Sequence, residues 1–254
     1  MSCDSKRPWI DIPIIDCGEK LDQLKPSFHC LEPHPYLSIG APYDQISDPW
    51  RLRTGVIRRL FLAQKYLQNE NPNFSLAIFD AWRPISVQAF MIDHSIDELC
   101  LARGFDRNDQ KHAFEFSEAV KEVNRFWAPA ILDPCNPPPH STGAAVDLTL
   151  ADSQGNPFGM GGEIDEISPV SHPNYYVEDS MIDCACQLWH QRRISLAKAM
   201  EKAGFIQHPH EWWHFSYGDQ LWAWRNGSSQ AFYGSCLPPV SKERTATSPK
   251  SSMC

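Results

Sequence analysis

From Leu52 to Leu67 the apolar residues Leu52, Val56, Ile57, Leu60, Phe61 and Leu67 fall at helical spacing, and Asp48-Pro49 ahead of them reads as an N-cap and first helical residue. Ser75–Asp80 (SLAIFD) predicts a short strand that ends at Ala81-Trp82-Arg83-Pro84. Helices are expected near 86–103 and 109–126. The segment 128–139 holds five prolines and must be a loop. In 145–150 the pattern alternates, with Val146, Leu148 and Leu150 on one face and Ala145, Asp147 and Thr149 on the other, as in a strand. A long Gly-, Pro- and acid-rich connection over 151–180 leads to a helix from about 181 to 203, closed by Gly204 in the C′ position. The aromatic run 212–217 reads as a strand.

Residues 1–48 are proline-rich and are expected to wrap the surface as an irregular segment. The polar stretch 238–254 is expected to be disordered. There is no internal repeat and no heptad pattern. Helices and strands mix without regular βαβ alternation, which predicts an α+β fold with flanking helices around a partly antiparallel central sheet. The expected organisation is one catalytic domain over 1–237, with the irregular segment packed on it.

Composition narrows the function. With 254 residues, 42% hydrophobic and 21% charged, the chain can bury a sizeable core. A formal charge of −8 lacks the basic footprint that nucleic acid requires. No run of 18 apolar residues is present to span a membrane, and the first residues mix charges with prolines, so a cytoplasmic protein is expected. Nine scattered cysteines without a C-x-x-C spacing read as reduced structural thiols.

Two segments carry chemistry. His140-Ser-Thr-Gly-Ala-Ala-Val-Asp147 places an imidazole in a loop and a carboxylate on a strand whose other face is apolar, where an Asp needs a partner. The small residues Gly143, Ala144 and Ala145 are expected to let the backbone pass close to a bound ion or substrate. Glu211-Trp-Trp-His214 adds a second imidazole and a free carboxylate. His140, Asp147 and His214 make three protein ligands and leave a fourth position for water, as a catalytic zinc requires; Glu211 is placed to take that water's proton. Glu211 must then sit in a turn or bulge before the strand, because residues 211 and 214 of a regular strand face opposite ways. A lone loop His or strand Asp would mean little; the combination carries the reading.

His210-Glu-Trp-Trp-His214 is also a literal H-E-x-x-H. That signature binds zinc only on a helix, and here Pro209, two tryptophans and the β-like Phe-Ser-Tyr argue against one. His172, His208 and His210 are accordingly expected on the surface or around the metal.

FDAWRP at 79–84, HSTGAAVDLTL at 140–150, MGGEID at 160–165 and EWWHFSY at 211–217 resemble, in order and spacing, the D-alanyl-D-alanine dipeptidase family of the vancomycin-resistance type. The likeness covers about residues 30–235. It implies a zinc D,D-peptidase-like fold and one Zn2+ per chain on His140, Asp147 and His214. It also implies hydrolysis of D-Ala-D-Ala or similar D,D-dipeptides of cell-wall metabolism by a zinc-bound water. Glu211 is the implied base and Arg83 the implied oxyanion partner, unless Arg83 merely pairs with Asp80. Asp165 is the implied contact for the substrate's free amine. The sequence departs from the family pattern at Pro138, where a serine is usual, and in reading Asp80-Ala-Trp-Arg-Pro84. The competing readings are a D,D-carboxypeptidase on longer peptidoglycan peptides and a non-catalytic zinc-containing binding module. Nothing in the sequence sets an oligomeric state.

Overall fold

A computed structural model of the chain describes residues 7–43, 48–177 and 183–236. The expected tail over 238–254 lies outside them, as do the first residues of the helix expected from 181. Along the described residues run β1 (Leu21–Gln23), β2 (His29–Cys30), α1 (Pro35–Ser38), β3 (Arg51–Arg53), α2 (Thr54–Glu70), β4 (Ser75–Asp80), α3 (Ile85–Ala102) and α4 (Ala113–Phe126). They continue with β5 (Ala145–Ala151), α5 (Cys184–Lys202), β6 (Ile206–Gln207), β7 (His214–Ser216) and α6 (Gln220–Arg225).

Among the described residues, five strands form one mixed sheet in the order β2-β4-β5-β7-β6, with only the β2–β4 pair parallel. The expected α+β architecture with a partly antiparallel sheet is what forms. Strand β5 is central, and all seven of its residues are buried. Its Val146, Leu148 and Leu150 join Leu76 and Ile78 of β4 in a core shared with Leu60, Ala63 and Leu67 of α2 and Leu196 and Met200 of α5. Helices α3 and α4 build a second core from Val87, Met91, Ile96, Ala119 and Val123, to which Tyr36 and Trp127 contribute. The site lies on the sheet face opposite the first core.

Three expectations need correction. The helix does not begin at Asp48-Pro49: residues 51–53 form β3, paired antiparallel with β1 (Leu21↔Arg53), and α2 starts at Thr54. Asp48 instead accepts the Trp50 backbone N–H at 2.9 Å, in a turn that feeds the strand. Leu52 fits a helical spacing by coincidence, since pairing with a distant segment decides its state. The segment read as irregular over 1–48 also contains β1, β2 and α1. Finally, Gly143 does not make room for an ion. Its φ is +68°, and a Cβ there would come within 2.3 Å of the Leu21 side chain, so it serves the packing of β1. Gly204, by contrast, closes α5 as expected: its N–H reaches Glu201 O at 2.8 Å and that of Phe205 reaches Met200 O at 3.1 Å.

Leu148 is fully buried where β5 meets both helices. Leu148→Ala is expected to cost about 2–5 kcal/mol of stability, read from urea unfolding at unchanged slope. A loss under about 1 kcal/mol would mean that β5 is not the centre of the core.

Candidate active site

The register of the sheet builds the site. Asp147 of β5 stands directly opposite His214 of β7 on one side and Asp80 of β4 on the other. In β4 the pairing shifts between Ile78 and Asp80, so Phe79 is an extra residue. Without that bulge Asp80 would share the face of Ile78 and point into the apolar core; with it, Asp80 joins Asp147 on the site face. His140 comes from the 3-10 turn Pro139–Thr142 that precedes β5. This turn is fixed to the end of β4: Arg83 N–H donates to His140 O at 3.3 Å and Ser141 Oγ donates to Arg83 O at 2.8 Å.

His140, Asp147 and His214 are buried, and one ligand atom from each lies within 4.8 Å of the others. His140 Nε2 is 3.1 Å from Asp147 Oδ2, and His214 Nδ1 is 3.1 Å from Asp147 Oδ1. The two imidazole nitrogens are 3.3 Å apart. Each ring is held through its other nitrogen. His140 Nδ1 meets Ala81 O at 2.8 Å, with Asp80 Oδ2 at 3.3 Å; both are acceptors, so this nitrogen carries the proton. His214 Nε2 meets Ser216 Oγ at 3.3 Å, whose hydroxyl donates to Asp219 Oδ2 at 2.7 Å, so it too is a donor. These partners leave the facing nitrogens as lone pairs beside a carboxylate. This is the tautomer choice that a metal site needs, and outer partners of this kind commonly orient ligating histidines.

These groups perturb one another strongly. Burial alone would raise the Asp147 carboxyl, but His140 and His214 hold it well below the usual carboxylate range. Burial would also depress His140, and the Asp147 charge outweighs it. Burial pushes Glu211 well up, and the Asp147 and Asp165 charges add to this. Glu211 lies outside β7, in the irregular stretch before it, with Oε2 3.7 Å from His214 Nδ1 and Oε1 3.5 Å from His208 Nδ1. Residues 210–213 are not helical, so the two histidines of the H-E-x-x-H string do not share a face. His210 is exposed and packs on His172.

Arg83 is buried and serves two masters. Its Nε and Nη2 donate to Asp80 Oδ2 at 3.0 and 2.7 Å, and its Nη1 donates to Gln88 Oε1 at 2.8 Å. Nη2 also donates to Tyr36 OH at 2.9 Å and stands 3.5 Å from Asp147 Oδ2. The guanidinium is sandwiched by the rings of Tyr36 and Trp127, each centroid 4.9 Å away. Tyr36 OH passes the chain of bonds on to Asp165 Oδ2 at 2.7 Å. Asp165 adopts a left-handed backbone, φ +66°, and burial with the Asp147 charge pushes its carboxyl up to about 7. All six residues singled out from the sequence line one open cleft, together with Arg7, Trp9, Trp127 and His208.

Several residues of the site escaped the sequence reading. Asp80 was visible as an acid ending an apolar strand, but only the bulge aims it inward. Ser216 and Asp219 lie in HFSYGD, next to His214, and the Asp219 side chain also caps α6 through Trp222 N–H at 2.9 Å. Tyr36 and Arg7 carry no local signal; distant packing brings them in.

A family model described as "D-ala-D-ala dipeptidase", peptidase M15, matches residues 29–232. The chain is 46% identical over 232 residues to a curated D-alanyl-D-alanine dipeptidase from Synechocystis sp., covering 89% of this chain and 93% of that protein. Over 76 residues it is 38% identical to a D-alanyl-D-alanine dipeptidase from Escherichia coli, 30% of this chain and 36% of that one. Among solved structures, a VanB-type vancomycin-resistance D,D-pentapeptidase, VanY, in complex with Zn(II) aligns with 85% of this chain and 90% of its own, at 13% identity and TM-score 0.47. VanYB in complex with D-alanine-D-alanine aligns with 75% and 88%, at 15% identity and TM-score 0.43. The chain belongs to the peptidase M15 family of D-Ala-D-Ala dipeptidases, and is a D,D-peptidase of this metal-dependent kind.

Proposed function

We propose that this chain, as one catalytic domain, is a zinc dipeptidase that cleaves D-Ala-D-Ala or a similar short D,D-dipeptide. The observation that carries this reading is the convergence of two imidazole lone pairs and a carboxylate on one buried point. Such a set calls for a positive charge at its centre, a shared proton or a metal ion, and two His with one Asp suit zinc. His140 and His214 would hold the ion through Nε2 and Nδ1, and Asp147 through its carboxylate. A zinc ion held there supplies Lewis acidity, lowering the pKa of a coordinated water to about 7 and polarising a carbonyl.

The chain's own residues do the rest. Glu211, poised beside His214, takes the proton of the attacking water and returns it to the leaving amine. Its carboxyl is pushed up by burial, which suits a group that must both accept and donate; a neighbouring dication offsets the part of that shift due to Asp147. Arg83 offers an N–H toward the oxyanion, and its rigid bonds to Asp80, Gln88 and Tyr36 mean little reorganisation is needed. Asp165 takes the substrate's ammonium, with Tyr36 OH steadying the carboxylate. A binding module without turnover would need neither Glu211 nor the Arg83 network.

Three results test these assignments. His140→Ala is expected to abolish stoichiometric zinc binding in equilibrium dialysis while His210→Ala retains it; the reverse pattern would favour the helical H-E-x-x-H reading. Glu211→Ala should keep its zinc and lose about 10²–10⁴ in kcat. Loss of the metal, or turnover near the wild-type rate, removes Glu211 from that role. For Asp165, N-acetylation of D-Ala-D-Ala should cost the wild-type enzyme far more in kcat/KM than one added methylene at the C-terminal residue, and Asp165→Asn should erase the difference. Equal wild-type rates on free and acetylated dipeptides would replace the dipeptidase with a D,D-carboxypeptidase on longer peptides.

A further inference from the structure

A dipeptide brings three charged or reacting groups into a small space: an ammonium, the scissile carbonyl and a terminal carboxylate one residue beyond it. A carboxylate taken into a cleft needs a cationic or multiply donating partner. Besides histidines, the cleft offers two cations, Arg83 and Arg7. Arg83 has its guanidinium engaged by Asp80, Gln88 and Tyr36. Arg7 is different: its Nη2 donates to Trp127 O at 2.8 Å, and among the described residues no carboxylate lies within ion-pair distance of it. Among the described residues, the other N–H donors of Arg7 therefore remain for a ligand.

Position supports the same assignment. Asp165 closes the cleft on the side of a neighbouring cavity lined by Tyr36, Phe79 and Met91. Arg7 closes it on the side of another cavity, lined by Asn136, Pro138 and Asp219. The two flanking cavities share no residue, and Asp165 borders one while Arg7 borders the other, both also lining the cleft with His140, Asp147 and His214. A zwitterionic dipeptide needs such a pair, one acid and one separate cation.

The segment that carries Arg7 is fixed in place. Trp9 is buried, edge-on to His208 at 5.8 Å and against Trp224 at 5.6 Å. The carbonyls of Ile10 and Ile12 accept from Gln220 Nε2 at 3.2 and 2.7 Å. Pro13 O accepts from Ala231 N–H at 2.9 Å, Ile15 N–H donates to Ala231 O at 2.9 Å, and Asp16 pairs with the buried Arg53 at 2.7 Å. The family match starts at residue 29, so this arm lies ahead of it.

We propose that the N-terminal arm completes the substrate site, and that the Arg7 guanidinium binds the terminal carboxylate of the dipeptide. This assignment rests on the dipeptidase reading and makes it narrower: the enzyme selects free dipeptides by clasping both charged ends. Arg7 is then a specificity residue, expressed in KM for substrates with a free carboxylate.

Steady-state kinetics of the zinc-loaded full chain decide the matter, using D-Ala-D-Ala and D-alanyl-D-alaninamide on wild type, Arg7→Gln and Arg7→Lys. The wild-type enzyme should prefer the free acid by about 10- to 100-fold in kcat/KM. Arg7→Gln should lose most of that factor on the acid, chiefly through KM, with a far smaller change on the amide; Arg7→Lys should recover part of it. A wild-type enzyme indifferent to amidation overturns the proposal and leaves the dipeptidase reading standing. So does an Arg7→Gln loss that is equal on both substrates and falls on kcat, because Arg7 would then act on Glu211 or on the arm's packing. Cleavage of neither dipeptide, with trimming of longer peptides instead, overturns both.

Discussion

Three atoms able to ligate a metal ion meet at the centre of this molecule. His140 Nε2, His214 Nδ1 and the Asp147 carboxylate lie within 3.3 Å of their nearest neighbours in the set, and the proton of each imidazole is turned outward to Ala81 O or Ser216 Oγ. In a buried place this is costly unless a cation balances it. Much of the architecture can be derived from the need to assemble and hold that set. A central strand buried on both faces gives Asp147 a fixed backbone. The antiparallel register with β7 sets His214 beside it. A 3-10 turn tied to Arg83 delivers His140 from the other side.

The second constraint is the number of acids that this arrangement crowds together. Asp80, Asp147, Asp165 and Glu211 surround the same point, and burial with mutual repulsion drives Asp165 and Glu211 up. Asp80 is kept ionised by Arg83 and His34, although its burial would favour the neutral form. Arg83 thus neutralises Asp80 directly while standing 3.5 Å from Asp147, and its bonds to Tyr36 and Gln88 fix that position. In the proposed mechanism the ion pair with Asp80 and the oxyanion role are not rivals. The first orients the guanidinium, and orientation fixed before reaction is what makes a charged donor effective.

The convergence of His140, Asp147 and His214 was legible in the sequence because its logic is local. An Asp on the polar side of an alternating apolar strand requires a partner, and a Glu placed three residues before a strand histidine can sit beside it only from an irregular stretch. Strands β4 and β5 and helices α3 and α5 were likewise set by periodicity and punctuation. What stayed hidden depends on long-range pairing. Residues 51–53 read as helix because Leu52 matches a helical spacing, and only β1 makes them a strand. Asp80 faces the site because of one extra residue in β4, which alternation cannot reveal. Tyr36 and Arg7 come from α1 and from an arm stitched to α6 and Ala231, contacts that span most of the chain.

The catalytic reading depends on where the cation sits and which nitrogens hold it. Crystals of the zinc-loaded protein, measured on both sides of the zinc absorption edge, would locate it directly by anomalous scattering. The expected map has one strong peak per chain, bonded to His140 Nε2 and His214 Nδ1 at about 2.0–2.1 Å and to an Asp147 oxygen at about 2.0–2.2 Å. A peak held instead by His210 and His214, or no peak between His140 and Asp147, would contradict the account.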